Sequence, residues 1–204
     1  VKAPTPLPEK LPPLPDKNIE FSSNTNFPTS LKYKHASFPY LENQFHGGEK
    51  NALAHLETYL LQKLPHTYKE TRNQLYGVNF STKFSPWLSL GSISARYIAF
   101  RIKEFENQHG ANESSYWIWF ELLWRDYFRF IHFKFGKKLY SKNGLSNNNN
   151  LINHNDENFN KWIQGETGND LIDAGMKELR FTGYLSNRMR QIVASYLIYD
   201  LSCD

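Results

Sequence analysis

Sulfur is scarce in this chain: its 204 residues include one cysteine, Cys203, and two methionines. A lone thiol excludes an internal disulfide and any cysteine-based metal site. No run of about 18 apolar residues occurs, so no segment reads as a membrane span, and no signal peptide is visible. The glycines needed for a Walker loop or a dinucleotide fingerprint are missing. His35, His46, His55, His66, His109, His132 and His154 show no metal-ligand spacing such as H-E-x-x-H. They read as surface or core histidines, and no metal site is expected. Period-two alternation with hairpin signals is also missing, which argues against sheets.

Proline is rare beyond the start, with eight of ten in the first 39 residues. Each removes a backbone donor and fixes φ, so 1–45 reads as an extended arm or linker, in places polyproline II. The chain opens on Val1 and ends at Asp204 in a helix-like run. Both suggest a fragment of a longer protein. Net charge is +4 with pI near 9.0, which permits a polyanion partner without demanding one. Fifteen Phe, twelve Tyr and five Trp are many. Rings can simply fill a core, or they can wall a planar ligand.

Residues 46–204 read as helical. In EKNALAHLETYLLQKLP, Leu53, Leu56, Leu60 and Leu64 share a face and Pro65 stops the run. TYKETRNQLYG reads as a short helix ending at Gly77. STKFSPWLSLGSIS is turn-rich, with Pro86 at a first helical position behind Ser85. SARYIAFRIKEFENQ is amphipathic, and residues 112–115 offer caps for the next helix. Residues 141–158 are Asn-rich and read as a surface loop. NDLIDAGMKELRF and SNRMRQIVASYLIYDL form two more helices joined at Gly183. The fold class is all-α, without internal repeats.

Residues 116–135 hold ten aromatics, four Ile or Leu and six polar residues. Such a helix is expected to be buried on nearly all sides. Glu121 and Arg125 stand i,i+4, Trp124 lies beside them, and Arg129 and His132 continue the stripe. The stripe is either an intrahelical ion pair on one wet edge or the lining of a polar pocket. Ser186 leads a helix whose first turn holds Asn187, Arg188 and Arg190, and helix starts attract anions. Ser81–Ser85 puts hydroxyls, Lys83 and backbone N–H groups before a helix start, a geometry that can cradle phosphate.

Taken in order, GGEKNALAHLETYL, TYKETRN, STKFSPWLSLGSIS, FELLWRDYFRF and GETGNDLIDAGMKELRFTGYLSNRMRQIVASYL resemble the flavin-binding helical domain of the photolyase/cryptochrome family. YWIWFELLWRDYFRF and SNRMRQ are most similar to its DASH-type branch. The resemblance implies FAD as cofactor. It implies that Ser81, Thr82, Lys83, Phe84 and Ser85 bind its phosphates and ribityl chain, with Tyr68 near the diphosphate and Arg125 beside the cofactor. Arg190 would help hold the flavin through an acidic partner. Glu121 would hydrogen-bond a pyrimidine dimer, Trp124 would stack on it, and Asn187 would lie near both flavin and lesion. Arg72 and Arg188 would face DNA. Gln191 stands where the cyclobutane-dimer branch usually has Met, as in DASH proteins.

The implied activity is light-driven splitting of pyrimidine dimers, chiefly in single strands, by electron donation from reduced flavin. The implied partner is damaged DNA, and a monomer is expected. Two other readings stand: a blue-light photoreceptor without repair, and a degenerate helical fragment that no longer binds FAD. Family members continue past the equivalent of Asp204 with further flavin contacts and carry an antenna domain upstream. The domain is therefore expected to be incomplete at its C-terminal end, and the fragment alone to be inactive. Ile152 stands where a tryptophan of the electron-transfer ladder is expected, and Trp162 reads as structural.

Overall fold

The computed structural model describes residues 45–141, 144–145 and 154–203. Nearly all of the proline-rich arm, and Ile152, lie outside them. The described residues are helical, with no strand among them. Two hydrophobic clusters organise the chain, one on α1–α5 and one on α6–α8.

The first cluster begins with α1 (Glu49–Leu61), which buries Ala52, Leu56 and Leu60 along one face. α1 ends before the proline, and Pro65 instead sits at the start of a 3₁₀ turn, Leu64–Thr67. The next helix is shorter than the sequence suggests: α2 is only Tyr68–Thr71, and the chain leaves it in turns before Gly77. α3 (Ser85–Ser89) starts with Pro86 in its first turn. α4 (Ala95–His109) is capped by Ser94 Oγ, which accepts from Tyr97 N at 3.0 Å. It buries Ile98, Ile102 and Phe105 at helical spacing. The Arg101 fork donates to both oxygens of Glu57, clipping α4 to α1.

α5 (Glu113–Phe135) is positioned by its first turn. Asn112 Oδ1 accepts from Ser115 N at 2.9 Å, and Asn112 N donates to Ser115 Oγ at 3.2 Å, a reciprocal cap. Ser115 Oγ donates to Glu106 on α4, and Ser114 Oγ donates to Glu70 while accepting from Lys69 N on α2. The near-complete burial expected of α5 is not observed. Only Ser114, Ser115, Ile118 and Leu122 are buried, and the rings from Trp124 to Phe133 are open to solvent. The helix outruns the α1–α4 cluster, so its C-terminal half meets no packed surface among the described residues.

α6 (Asp156–Gln164) begins inside the stretch 141–158 that reads as loop in sequence; Asn155 caps it and Gly165 ends it in the left-handed region. α7 (Asp170–Thr182) and α8 (Asn187–Ser195) pack through Ile172, Met176, Met189 and Val193. Trp162 supports this pair, donating from Nε1 to Val193 O at 2.9 Å. α8 runs into a π-helical turn, Tyr196–Asp200.

The α6–α7 loop is tied down by Asp173, which accepts from Thr167 N, Thr167 Oγ and Gly168 N. Burial alone would raise this carboxyl; the three hydrogen bonds, with the nearby charge of Lys177, outweigh it and hold the carboxyl below its ordinary value. A depressed folded pKa stabilises above the unfolded pKa and is lost as pH falls through the folded one. Asp173→Asn is therefore expected to be less stable than wild type at pH 7, with the difference shrinking below about pH 4. Urea unfolding at both pH values checks this.

Candidate functional site

The two clusters face each other across a cleft of about 840 Å³. That lies within the roughly 300–1,000 Å³ range of sites that take cofactors. α2 and the residue after it supply Tyr68 and Arg72, and the loop running into the first residue of α3 supplies residues 81–85. α5 supplies Trp117, Phe120, Glu121, Trp124 and Phe128, and the start of α8 supplies Asn187, Arg188, Arg190 and Gln191. Every site residue expected from sequence lines this cleft except Arg125. Separations in sequence of more than 100 residues converge on one volume.

Lys83 is the unusual group. It is 6% exposed and left-handed at φ 55, a backbone state that an L-residue adopts at some strain. Nζ donates to Ser81 Oγ at 2.9 Å and Tyr184 OH at 3.1 Å. Among the described residues no carboxylate lies within ion-pair distance of it. The loop is held from behind by His55 Nε2 on Thr82 O at 2.8 Å. A buried ammonium without a counter-ion, ringed by hydroxyls, is a cradle for an anionic ligand. The donor set thus fits a diphosphate.

Glu121 settles the choice left open by the stripe. Its carboxylate pairs with Arg72, the residue that follows α2, not with Arg125. The Arg72 guanidinium also lies over the Trp117 ring at 4.4 Å from its centroid. Glu121 shares the cleft with Lys83 and Asn187. Arg125 pairs with Asp126 at 3.1 Å and lines a neighbouring cavity of about 550 Å³, together with Arg129 and the end of α3. That cavity adjoins the cleft: Tyr68, Thr82, Phe84, Ser85 and Glu121 line both spaces. Burial of Tyr68 raises its phenol, outweighing Arg72, so the hydroxyl stays protonated at neutral pH.

Trp124 is 40% exposed, edge-on to Phe120 and stacked with Phe128 at 5.6 Å. Arg188 donates to Asn73 Oδ1 at 2.8 Å, bridging α8 to the turn after α2. Arg190 Nε donates to Leu185 O, and among the described residues no acid pairs with it. The acidic partner expected for it is thus not among them. Sequence reasoning missed Tyr184, whose hydroxyl and ring both meet Lys83; its only signal was adjacency to the Gly183 turn. No group of His, Cys, Asp and Glu suited to a metal occurs among the described residues. No described helix is long and apolar enough to cross a membrane.

A family model for the FAD binding domain of DNA photolyase matches residues 117–204. Cryptochrome DASH of Danio rerio is 51% identical over 159 residues, covering 78% of this chain and 31% of the relative. That of Xenopus laevis is 43% identical over 203 residues, covering 97% and 38%. A solved Synechocystis cryptochrome superposes with TM-score 0.75 at 46% identity, covering 78% of this chain and 33% of that one. A class III photolyase from Agrobacterium tumefaciens gives TM-score 0.68 at 28% identity, covering 77% and 32%. The chain thus spans about a third of the length of the relatives it matches. FAD is the cofactor of the matching domain. With an all-α architecture and these relatives, the chain belongs to the photolyase/cryptochrome family, in its DASH-type branch.

Proposed function

We propose that the cleft is the FAD site of a DASH-type protein that repairs pyrimidine dimers in DNA, chiefly single-stranded, under light. The observation that carries this reading is the buried Lys83, without an ion-pair partner among the described residues, in one cleft with Glu121 and Asn187. Ser81, Thr82, Lys83 and Ser85 would hold the diphosphate through hydroxyls, ammonium and backbone N–H groups, with Tyr68 and Phe84 as walls and Arg190 as a further cation. Bound reduced FAD supplies light-driven donation of an electron.

The side chains position and select. Trp124 offers an open aromatic face to an extruded lesion, and a damaged base is easier to flip out of the stack than an intact one. Glu121, ionised and held by Arg72, accepts from pyrimidine N–H groups. Its pairing with Arg72 fixes the carboxylate before a lesion arrives, which lowers the ordering needed on binding. Asn187 presents both a donor and an acceptor to lesion and cofactor. Arg72 and Arg188 add positive charge at the mouth for phosphate, so affinity for DNA falls with salt.

The test uses the chain at the full length of the relatives it matches, reduced, with a dimer-bearing oligonucleotide under blue light. Light-dependent loss of dimers is expected, and Glu121→Gln should slow it at least about tenfold, the weight of one lost charge-assisted hydrogen bond, while FAD stays bound. No light-dependent repair of either single- or double-stranded substrate would reject repair and favour a photoreceptor.

A further inference from the structure

We propose that His55 is a positioning residue for FAD, setting from α1 the shape of the 81–85 loop that takes the diphosphate. The inference rests on the FAD reading of the cleft and adds to it a residue that lines none of it. No residue of α1 lines the cleft, so His55 acts there only through the loop. In sequence it reads merely as a surface or core histidine.

The grip falls on both sides of Lys83. His55 Nε2 lies 2.8 Å from Thr82 O, 27 residues along the chain. A carbonyl oxygen only accepts, so Nε2 carries the hydrogen and donates. The imidazole also meets the Phe84 ring edge-on, with centroids 5.6 Å apart. The imidazole is itself fixed by the rings of Phe45 at 4.7 Å and Trp87 at 5.1 Å. Thr82 is thus held by its carbonyl and Phe84 by its ring.

Between these two points Lys83 sits at φ 55, with its ammonium on Ser81 Oγ and Tyr184 OH in the cleft wall. A left-handed lysine is strained and persists only where its surroundings over-determine it. Releasing the Thr82 carbonyl removes one of the two constraints. The loop then relaxes, and the ligand has to order it again on binding, which lowers affinity. A histidine that only filled the core would act through its ring; a positioning histidine acts through its N–H.

Two replacements separate these roles. His55→Phe keeps a ring among Phe45, Phe84 and Trp87 and has no donor. His55→Gln loses the ring but carries an amide Nε2 as many bonds from the backbone as the imidazole Nε2. The test titrates FAD and riboflavin into the 204-residue chain and both variants, with urea unfolding of each flavin-free chain. His55→Phe should bind FAD about fivefold more weakly at a stability close to wild type, the worth of one neutral hydrogen bond. His55→Gln should unfold at lower urea, having lost its ring contacts, yet hold FAD within about twofold of wild type. Riboflavin, which has no diphosphate, should bind all three alike. His55→Phe binding FAD as tightly as wild type would overturn the proposal. So would affinities for both flavins that fall in step with stability, which assigns His55 to packing. Either result leaves the cleft reading standing. Failure of the wild-type chain to take up FAD strikes that reading itself, and this inference with it.

Discussion

Replacing Lys83 with methionine is expected to lower FAD affinity about a hundredfold and to leave the ligand-free chain as stable as before or slightly more so. The two halves of this expectation have one cause. A hydrogen bond to a charged group is worth about 1.5–3 kcal/mol, and every 1.4 kcal/mol is about tenfold in affinity. Without ligand the same ammonium is 6% exposed and has only two hydroxyl partners, so its desolvation is poorly offset. Methionine keeps the length of the stem and the same backbone conformation, and it removes the charge. Flavin fluorescence titration reads the first effect and urea unfolding the second. A residue that merely packs would lose stability and affinity together; a ligand-directed lysine separates them.

The second large effect is remote from the ligand. Gly175 lies in α7 against α8, where an added Cβ would sit 2.9 Å from Met189 Cγ, 3.0 Å from its sulfur and 3.2 Å from Val193 Cγ1. Leucine at this position forces the helices apart and should destabilise the chain by about 3 kcal/mol, the upper part of the overpacking range. α8 carries Asn187 and Arg190 into the cleft, so FAD affinity should fall with it. Gly175→Ala should be nearly neutral, because the helix-propensity gain of about 1 kcal/mol opposes a clash that flexible Met189 can relieve. Adding Met189→Ala to Gly175→Leu should recover part of both losses. Thermal unfolding of the three variants and wild type, with flavin titration alongside, checks the coupling between this packing point and the site.

The parts of the fold set by neighbours in sequence were legible, and those set by distant partners were not. Ser94, Asn112 and Ser186 cap the helices their positions suggest, because capping involves only the next three residues. α6 is obscured by the Asn-rich stretch before it, although Asn155 and Gly165 are ordinary start and stop residues. α5 shows what periodicity cannot supply: a helix rich in rings asks for cover, but its sequence does not say whether the chain provides any. Helical spacing offers Glu121 the partner Arg125 at i+4, yet its partner is Arg72, 49 residues away at the end of α2. Tyr184 is hidden for the same reason, since its role depends on Lys83, 101 residues earlier. The convergence of the motif residues on one cleft was legible only through the family resemblance, because spacing alone could not bring α2, α5 and α8 together.

The loop at 81–85 is the part of the cleft on which FAD binding turns. The most direct measurement compares FAD with riboflavin, which carries the same ring system without diphosphate or adenosine. Titrated into the 204-residue chain, FAD should quench and saturate in the micromolar range, with riboflavin at least about a hundredfold weaker, the worth of charge-assisted hydrogen bonds to the phosphates. Equal affinity for the two, or no saturation with FAD, would contradict the cradle.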